Sequence, residues 1–122
     1  MNLNNTFGSQ DFTTSIVDGI PVLKLNIFRA TIKDTQSFKS NLVQLMTANH
    51  QFIILDFTEC HFIDSAIVGV MVTMVKELRK NNGDILTIVS EGAINNLFVQ
   101  TGLDRVFKRF NNIYSALASL SM

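Results

Sequence analysis

The chain has 122 residues, enough for one domain with a true core, and its ten basic and ten acidic side chains cancel. That balance removes the electrostatic footprint of a general nucleic-acid binder. With 47% hydrophobic residues, one proline and no Gly/Ser-rich run, the composition gives no support to disorder or to a second domain, and one compact domain is expected.

Residues 1–10 read as a loose polar leader and 11–122 as the domain. Met1 to Ser9 lacks the basic-then-apolar pattern of a secretory signal. Phe12 to Val17 and Pro21 to Phe28 alternate apolar and polar residues around Asp18-Gly19, a hairpin signal, and Pro21 suits a strand start or edge. From Lys33 to Asn49 the apolar spacing changes: Phe38, Leu42, Leu45 and Met46 share one face of a helix that Asp34 or Thr35 can cap. Phe52 to Phe57 is apolar nearly throughout, as in a strand covered on both faces.

A short connection follows, then Phe62-Ile63-Asp64-Ser65 and the apolar run Ala66 to Val75. Asp64 and Ser65 are both N-cap types, so either can satisfy the free amides at the helix start, and Ser65 is expected at a surface rim. At about 100° per residue, Ile67, Val70, Met71, Met74 and Leu78 face the sheet, while Ser65, Gly69, Val72 and Lys76 fall on the outer side. Met71 and Met74 read as core filler. Asn82-Gly83 ends the helix, with the glycine expected in a left-handed cap. Asp84 to Val89 is the next covered strand; Ser90-Glu91 opens a helix closed by Thr101-Gly102-Leu103. A short strand near Val106 to Phe110 and a helix over Ile113 to Leu120 complete the chain. The expected fold is α/β: a single domain with a mainly parallel mixed sheet, an N-terminal hairpin and about four helices.

The chemistry-bearing residues are few. Cys60 is the single cysteine, so no intrachain disulfide and no cysteine cluster for a metal can form, which fits a reducing compartment. The run Ala66 to Val75 is far short of the roughly 20 residues a membrane span needs, and a soluble cytoplasmic protein is expected. Cys60 and His61 are adjacent, a poor start for a tetrahedral metal site, and His61 reads as a polar turn residue. Arg105, Lys108 and Arg109 read as a solvated basic face. No Gly-rich phosphate loop exists and no Gly-x-Ser-x-Gly elbow surrounds Ser65, so neither a cofactor nor a catalytic serine recruiting His50 or His61 is expected.

The stretch Ile53-Ile54-Leu55-Asp56-Phe57 through Phe62-Ile63-Asp64-Ser65-Ala66-Ile67-Val68-Gly69 resembles the strand and Asp-Ser-x-Gly-Leu-Gly signature of the STAS domain in bacterial anti-sigma factor antagonists. Asn82-Gly83-Asp84-Ile85 and the run Leu97 to Phe107 are similar to that family's Gly-Gly turn and Thr-Gly-Leu helix end. The resemblance implies a binding switch that is not an enzyme. Such a protein captures a serine kinase that doubles as an anti-sigma factor, frees the sigma factor, is switched off by phosphate on Ser65, and is reset by a phosphatase. Residue by residue the resemblance maps the phosphoacceptor to Ser65, the motif acid to Asp64 and the second motif glycine to Gly69. The helical wheel adds Val68, Val72 and Lys76 as exposed members of the expected partner-binding face, and no membrane insertion and no directly bound nucleic acid are expected. Ile67 stands at the first motif glycine, Ala66 at the second hydroxyl position, and Phe28-Arg29-Ala30-Thr31-Ile32-Lys33 replaces the family's Gly-apolar-Asp loop. A second reading is a constitutive STAS-like scaffold subunit of a signalling or transport assembly, with Ser65 only a cap.

Overall fold

The computed structural model describes residues 6–8 and 11–121. Strand β1 (Thr6–Gly8) lies antiparallel to β2 (Phe12–Val17), which pairs antiparallel with β3 (Ile20–Leu25). Part of the expected leader is thus paired backbone, and residues 1–5, 9 and 10 lie outside the described residues. The β2–β3 turn is made by Asp18 and Gly19, both at positive φ (52° and 80°), which matches the right-handed twist of the flanking strands.

Beyond the hairpin come β4 (Arg29–Ala30), a single 3-10 turn at Ile32–Asp34, and helix α1 (Thr35–Thr47). Strand β5 (Phe52–Asp56), the two-residue β6 (Phe62–Ile63), helix α2 (Ser65–Lys80) and strand β7 (Asp84–Ile88) follow. Helix α3 (Ala93–Thr101), a 3-10 turn at Leu103–Arg105, β8 (Lys108–Phe110) and α4 (Ile113–Leu120) end the chain. The main sheet has the order β1-β2-β3-β5-β7-β8, parallel from β3 onward, while β4 and β6 form a separate parallel pair. The α/β domain with a hairpin-led mixed sheet is the one expected.

Strand alternation divides the core in two. Leu23, Leu25, Ile53, Leu55 and Ile85 project to one side and pack with α1, α2 and α3 through residues such as Phe38, Leu42, Ile67, Met71 and Phe98. Val22, Ile54, Leu86 and Ile88 project to the other and meet Ala116 of α4, with Ile113, Leu117 and Leu120 around it. The continuous apolar runs of β5 and β7 arise because helices cover both faces. Thr87, wholly buried, donates its hydroxyl to the Lys108 carbonyl at 2.8 Å and so fastens β8 to the sheet.

The end of α2 departs from the expected glycine cap. The left-handed residue is Asn82 (φ 63°), while the Gly83 amide donates to the Leu78 carbonyl at 2.8 Å and the Asn82 amide to Arg79 at 3.2 Å, a Schellman closure. Gly83 is required by space: a Cβ there would stand 2.0 Å from the Gln51 carbonyl oxygen. Asn49 (φ 66°) closes α1 in the same way. Helix α3 begins at Ala93 and not at Ser90-Glu91, because Gly92 turns the chain at φ 134° just before it. Gly102 (φ 78°) ends α3 as expected. No helix among the described residues is long and apolar enough to cross a membrane.

Candidate functional site

The start of α2 is set by one carboxylate. Asp64 has extended backbone (φ −98°, ψ 179°), and its Oδ1 accepts from the amides of Ala66 and Ile67, each at 3.1 Å. Its Oδ2 accepts from the Ile32 amide at 2.8 Å, which ties the segment before α1 to the helix start. Asp64 is therefore the cap, and Ser65 is left as the first helical residue. Ser65 is exposed at the rim, and among the described residues its hydroxyl makes no hydrogen bond.

The neighbouring segment is held as firmly. Phe28 accepts at its carbonyl from the amides of His61 (2.8 Å) and Phe62 (3.1 Å), and the Asp64 amide donates to the Ala30 carbonyl at 3.3 Å. Asp34 Oδ2 accepts from the Thr31 amide at 2.9 Å, and the Thr35 hydroxyl donates to the Ile32 carbonyl at 2.7 Å. Side chains lie over this frame: the Phe28 ring stacks on His61 with centroids 4.6 Å apart, and the Arg29 guanidinium sits 4.0 Å above the Phe62 ring.

Along α2, Gly69 and Lys76 are exposed on the side that carries Ser65. A Cβ placed on Gly69 would meet nothing within 4 Å, so the glycine is not demanded by the fold. An open groove of about 300 Å³ runs beside it, lined by Lys39, Ala66, Gly69, Val70, Thr73 and Met74. Val68 and Val72 differ from the expected open exposure: both are half-buried and pack against the main core. The helix rotates so that Val70 also is only half-buried, while Val75 is fully buried beside Ile67, Met71, Met74 and Leu78.

Among the described residues no histidine hydrogen-bonds to Ser65. The His61 ring lies against Phe28, and His50 follows α1 at the opposite end of β5. Cys60 is buried under the Phe28 and Phe62 carbonyls, and burial pushes its thiol pKa up despite the backbone hydrogen bonds that oppose the shift. Among the described residues no three His, Cys, Asp or Glu side chains gather as a metal site. The sequence reading missed the β4–β6 pair and the exposed aromatic and apolar side chains it carries. Their signal was Phe28 and Ile32, large apolar residues in a connection that has no core of its own.

Comparison with known proteins accords with this architecture. Residues 16–119 match the family described as the STAS domain. No curated protein matches the chain. A Thermotoga maritima protein provisionally assigned as an anti-sigma factor antagonist superposes with a TM-score of 0.81 at 24% identity, covering 88% of this chain and 92% of that one. An anti-sigma-factor antagonist (STAS) domain protein of Planctomyces limnophilus gives 0.82 at 15% identity, over 92% and 99% of the two chains. The Bacillus cell fate determinant SpoIIAA in its phosphorylated form gives 0.69 at 17% identity, over 90% and 99%. At such identities the likeness is one of fold.

Proposed function

Starting from the fact that this chain belongs to the STAS domain family, we propose that it is a cytoplasmic anti-sigma factor antagonist whose hold on an anti-sigma factor serine kinase is released by phosphate on Ser65. The observation that carries this reading is the division of labour at α2: Asp64 alone satisfies the helix start, so Ser65 has no structural task for its hydroxyl. The alternative, a constitutive scaffold subunit, does not need Ser65 as a cap and differs from this reading in having no phosphate at Ser65. The phosphorylated state of SpoIIAA is a property of that protein; here the exposed Ser65 hydroxyl on a capped helix is accessible to a kinase.

The chemistry is binding, with phosphorylation done by the partner. Ser65, exposed beside open Gly69, gives a kinase active site close access to the hydroxyl. Phosphate there adds between about 1.5 and 2 negative charges at a helix N-terminus, where the dipole tolerates them, so the fold survives. In a complex the same charge enters a desolvated contact and weakens it. A phosphatase would restore the hydroxyl. Ala66 cannot substitute, so the switch rests on Ser65.

The test is to incubate the protein with ATP and each anti-sigma factor kinase of its own genome, followed by intact mass and site mapping. One phosphate on Ser65, absent from Ser65→Ala, supports the proposal. Stable capture of a kinase with no phosphate at Ser65 returns the constitutive scaffold as the better account.

A further inference from the structure

Phe28 and Ile32 are 63% and 72% exposed, and Phe62 is 37% exposed, yet they sit on backbone fixed by several hydrogen bonds. Ile32 is the clearest case: its amide is held by Asp64, so the side chain is presented outward next to the helix start and gains nothing from the core. Rigid apolar residues held in place before binding are the form that interface anchors take, because little conformational freedom is left to lose.

Charge supplies the second observation. Arg29 and Lys33 lie within the segment 28–33 and Lys39 lines the groove beside Ala66 and Gly69, and the ion pairs among the described residues are made by other cations, those of Arg79, Lys80 and Arg109. Of the acids beside this segment, Asp34 accepts a backbone amide through Oδ2 and Asp64 through both oxygens, and neither forms an ion pair with these cations. Glu91, which shares a small pocket with Cys60 and His61, bounds the basic surface on the α3 side. The apolar side chains of Phe28, Ile32 and Phe62 thus stand beside three cations, those of Arg29, Lys33 and Lys39, that make no ion pair among the described residues.

Resting on the switch proposed for Ser65, we infer that the segment 28–33 with Phe62 and Lys39 is the second half of the docking surface, and that it fits a partner presenting carboxylates around an apolar protrusion. The charge logic also strengthens release. In the free protein the cations compensate phosphate on Ser65, whereas in the complex that phosphate faces the partner's own carboxylates.

The experiment pans a phage-displayed library of random peptides on the wild-type protein, then measures a synthesised winner against Phe28→Ser with Ile32→Ser and, separately, Arg29→Glu with Lys33→Glu. Both pairs change exposed side chains, and thermal melts verify that they fold. The expected winners place Asp or Glu beside large apolar residues, weaken as salt rises, and lose about tenfold or more in affinity against each variant. Winners without acidic excess, or equal binding to the variants, overturn the inference. The two proposals fail separately. If a kinase phosphorylates Ser65 yet the variants capture it as well as wild type does, the surface is wrong and the switch stands. If acidic peptides map to the rim and no kinase modifies Ser65, the surface stands and the switch is wrong.

Discussion

The Ile32 amide donates a 2.8 Å hydrogen bond to Asp64 Oδ2, joining residues 32 positions apart in sequence through the carboxylate that caps α2. The loop and the helix start are therefore one mechanical unit. Asp64→Ala removes both functions and is expected to cost about 2 kcal/mol, the sum of a lost cap and an amide left without its charged acceptor. Asp64→Asn keeps capping geometry and loses less. Urea midpoints should rank wild type above Asn above Ala; equal midpoints for Asn and Ala would contradict the shared role.

Ser65→Ala and Ser65→Asp should melt close to wild type, because the Ser65 hydroxyl bonds nothing among the described residues and an acid at the first helical position suits the dipole. Their binding should diverge: the alanine variant captures the kinase and escapes control, and the aspartate variant captures it poorly. Surface plasmon resonance with the purified kinase distinguishes the two, and tight binding by Ser65→Asp would defeat the switch.

Gly69→Ala is expected to stabilise the free protein by about 1 kcal/mol, since the added methyl meets nothing within 4 Å and helix propensity improves. The same methyl should weaken kinase capture by preventing close approach at Ser65. Capture as tight as wild type would mean that the partner does not approach this turn.

Gly83→Ala makes the opposite case. Its Cβ would stand 2.0 Å from the Gln51 carbonyl oxygen, a backbone atom that must move with β5. A loss of about 2 kcal/mol or more is expected in chemical denaturation, and a wild-type midpoint would refute the close approach.

Cys60 links stability to alkaline pH. Burial raises its thiol pKa in the folded chain, so the unfolded chain releases that proton first as pH climbs past the ordinary thiol value of 9.0. The contribution is fully present below that value and is lost as pH rises through the folded pKa. Wild type should lose stability above pH 9 faster than Cys60→Ala, as read by urea midpoints at matched pH.

The sheet was legible in the sequence because Phe52 to Phe57 and Asp84 to Val89 are apolar on both faces, and α2 because its buried face repeats at helical spacing. Ser65 at the rim was legible as well. The choice of cap was not: Asp64 and Ser65 are both cap types, and only the bonds from the Ala66 and Ile67 amides to Asp64 Oδ1 show which side chain takes the role, while the long-range bond from Ile32 helps to fix that carboxylate. The β4–β6 pair was missed because two-residue strands carry no periodicity. An ideal wheel puts Val72 on the outer side, but the protein's own core reaches round to it, so a charge at this position would disturb packing as well as any docking face.

The strand order β1-β2-β3-β5-β7-β8 has a consequence for how the chain folds. Each new strand of the main sheet joins at the edge left by the one before it, and none is inserted between two already paired. Assembly can proceed by accretion, as on a ribosome, without reopening an earlier ladder. The loops that must close are those around α1, α2 and α3 in turn, which places the folding rate in the intermediate range of mixed α/β domains. In such an order of assembly the contacts that fix the Ser65 rim, Asp64 with Ile32 above all, need only the chain through α2 and none of β7, α3 or β8.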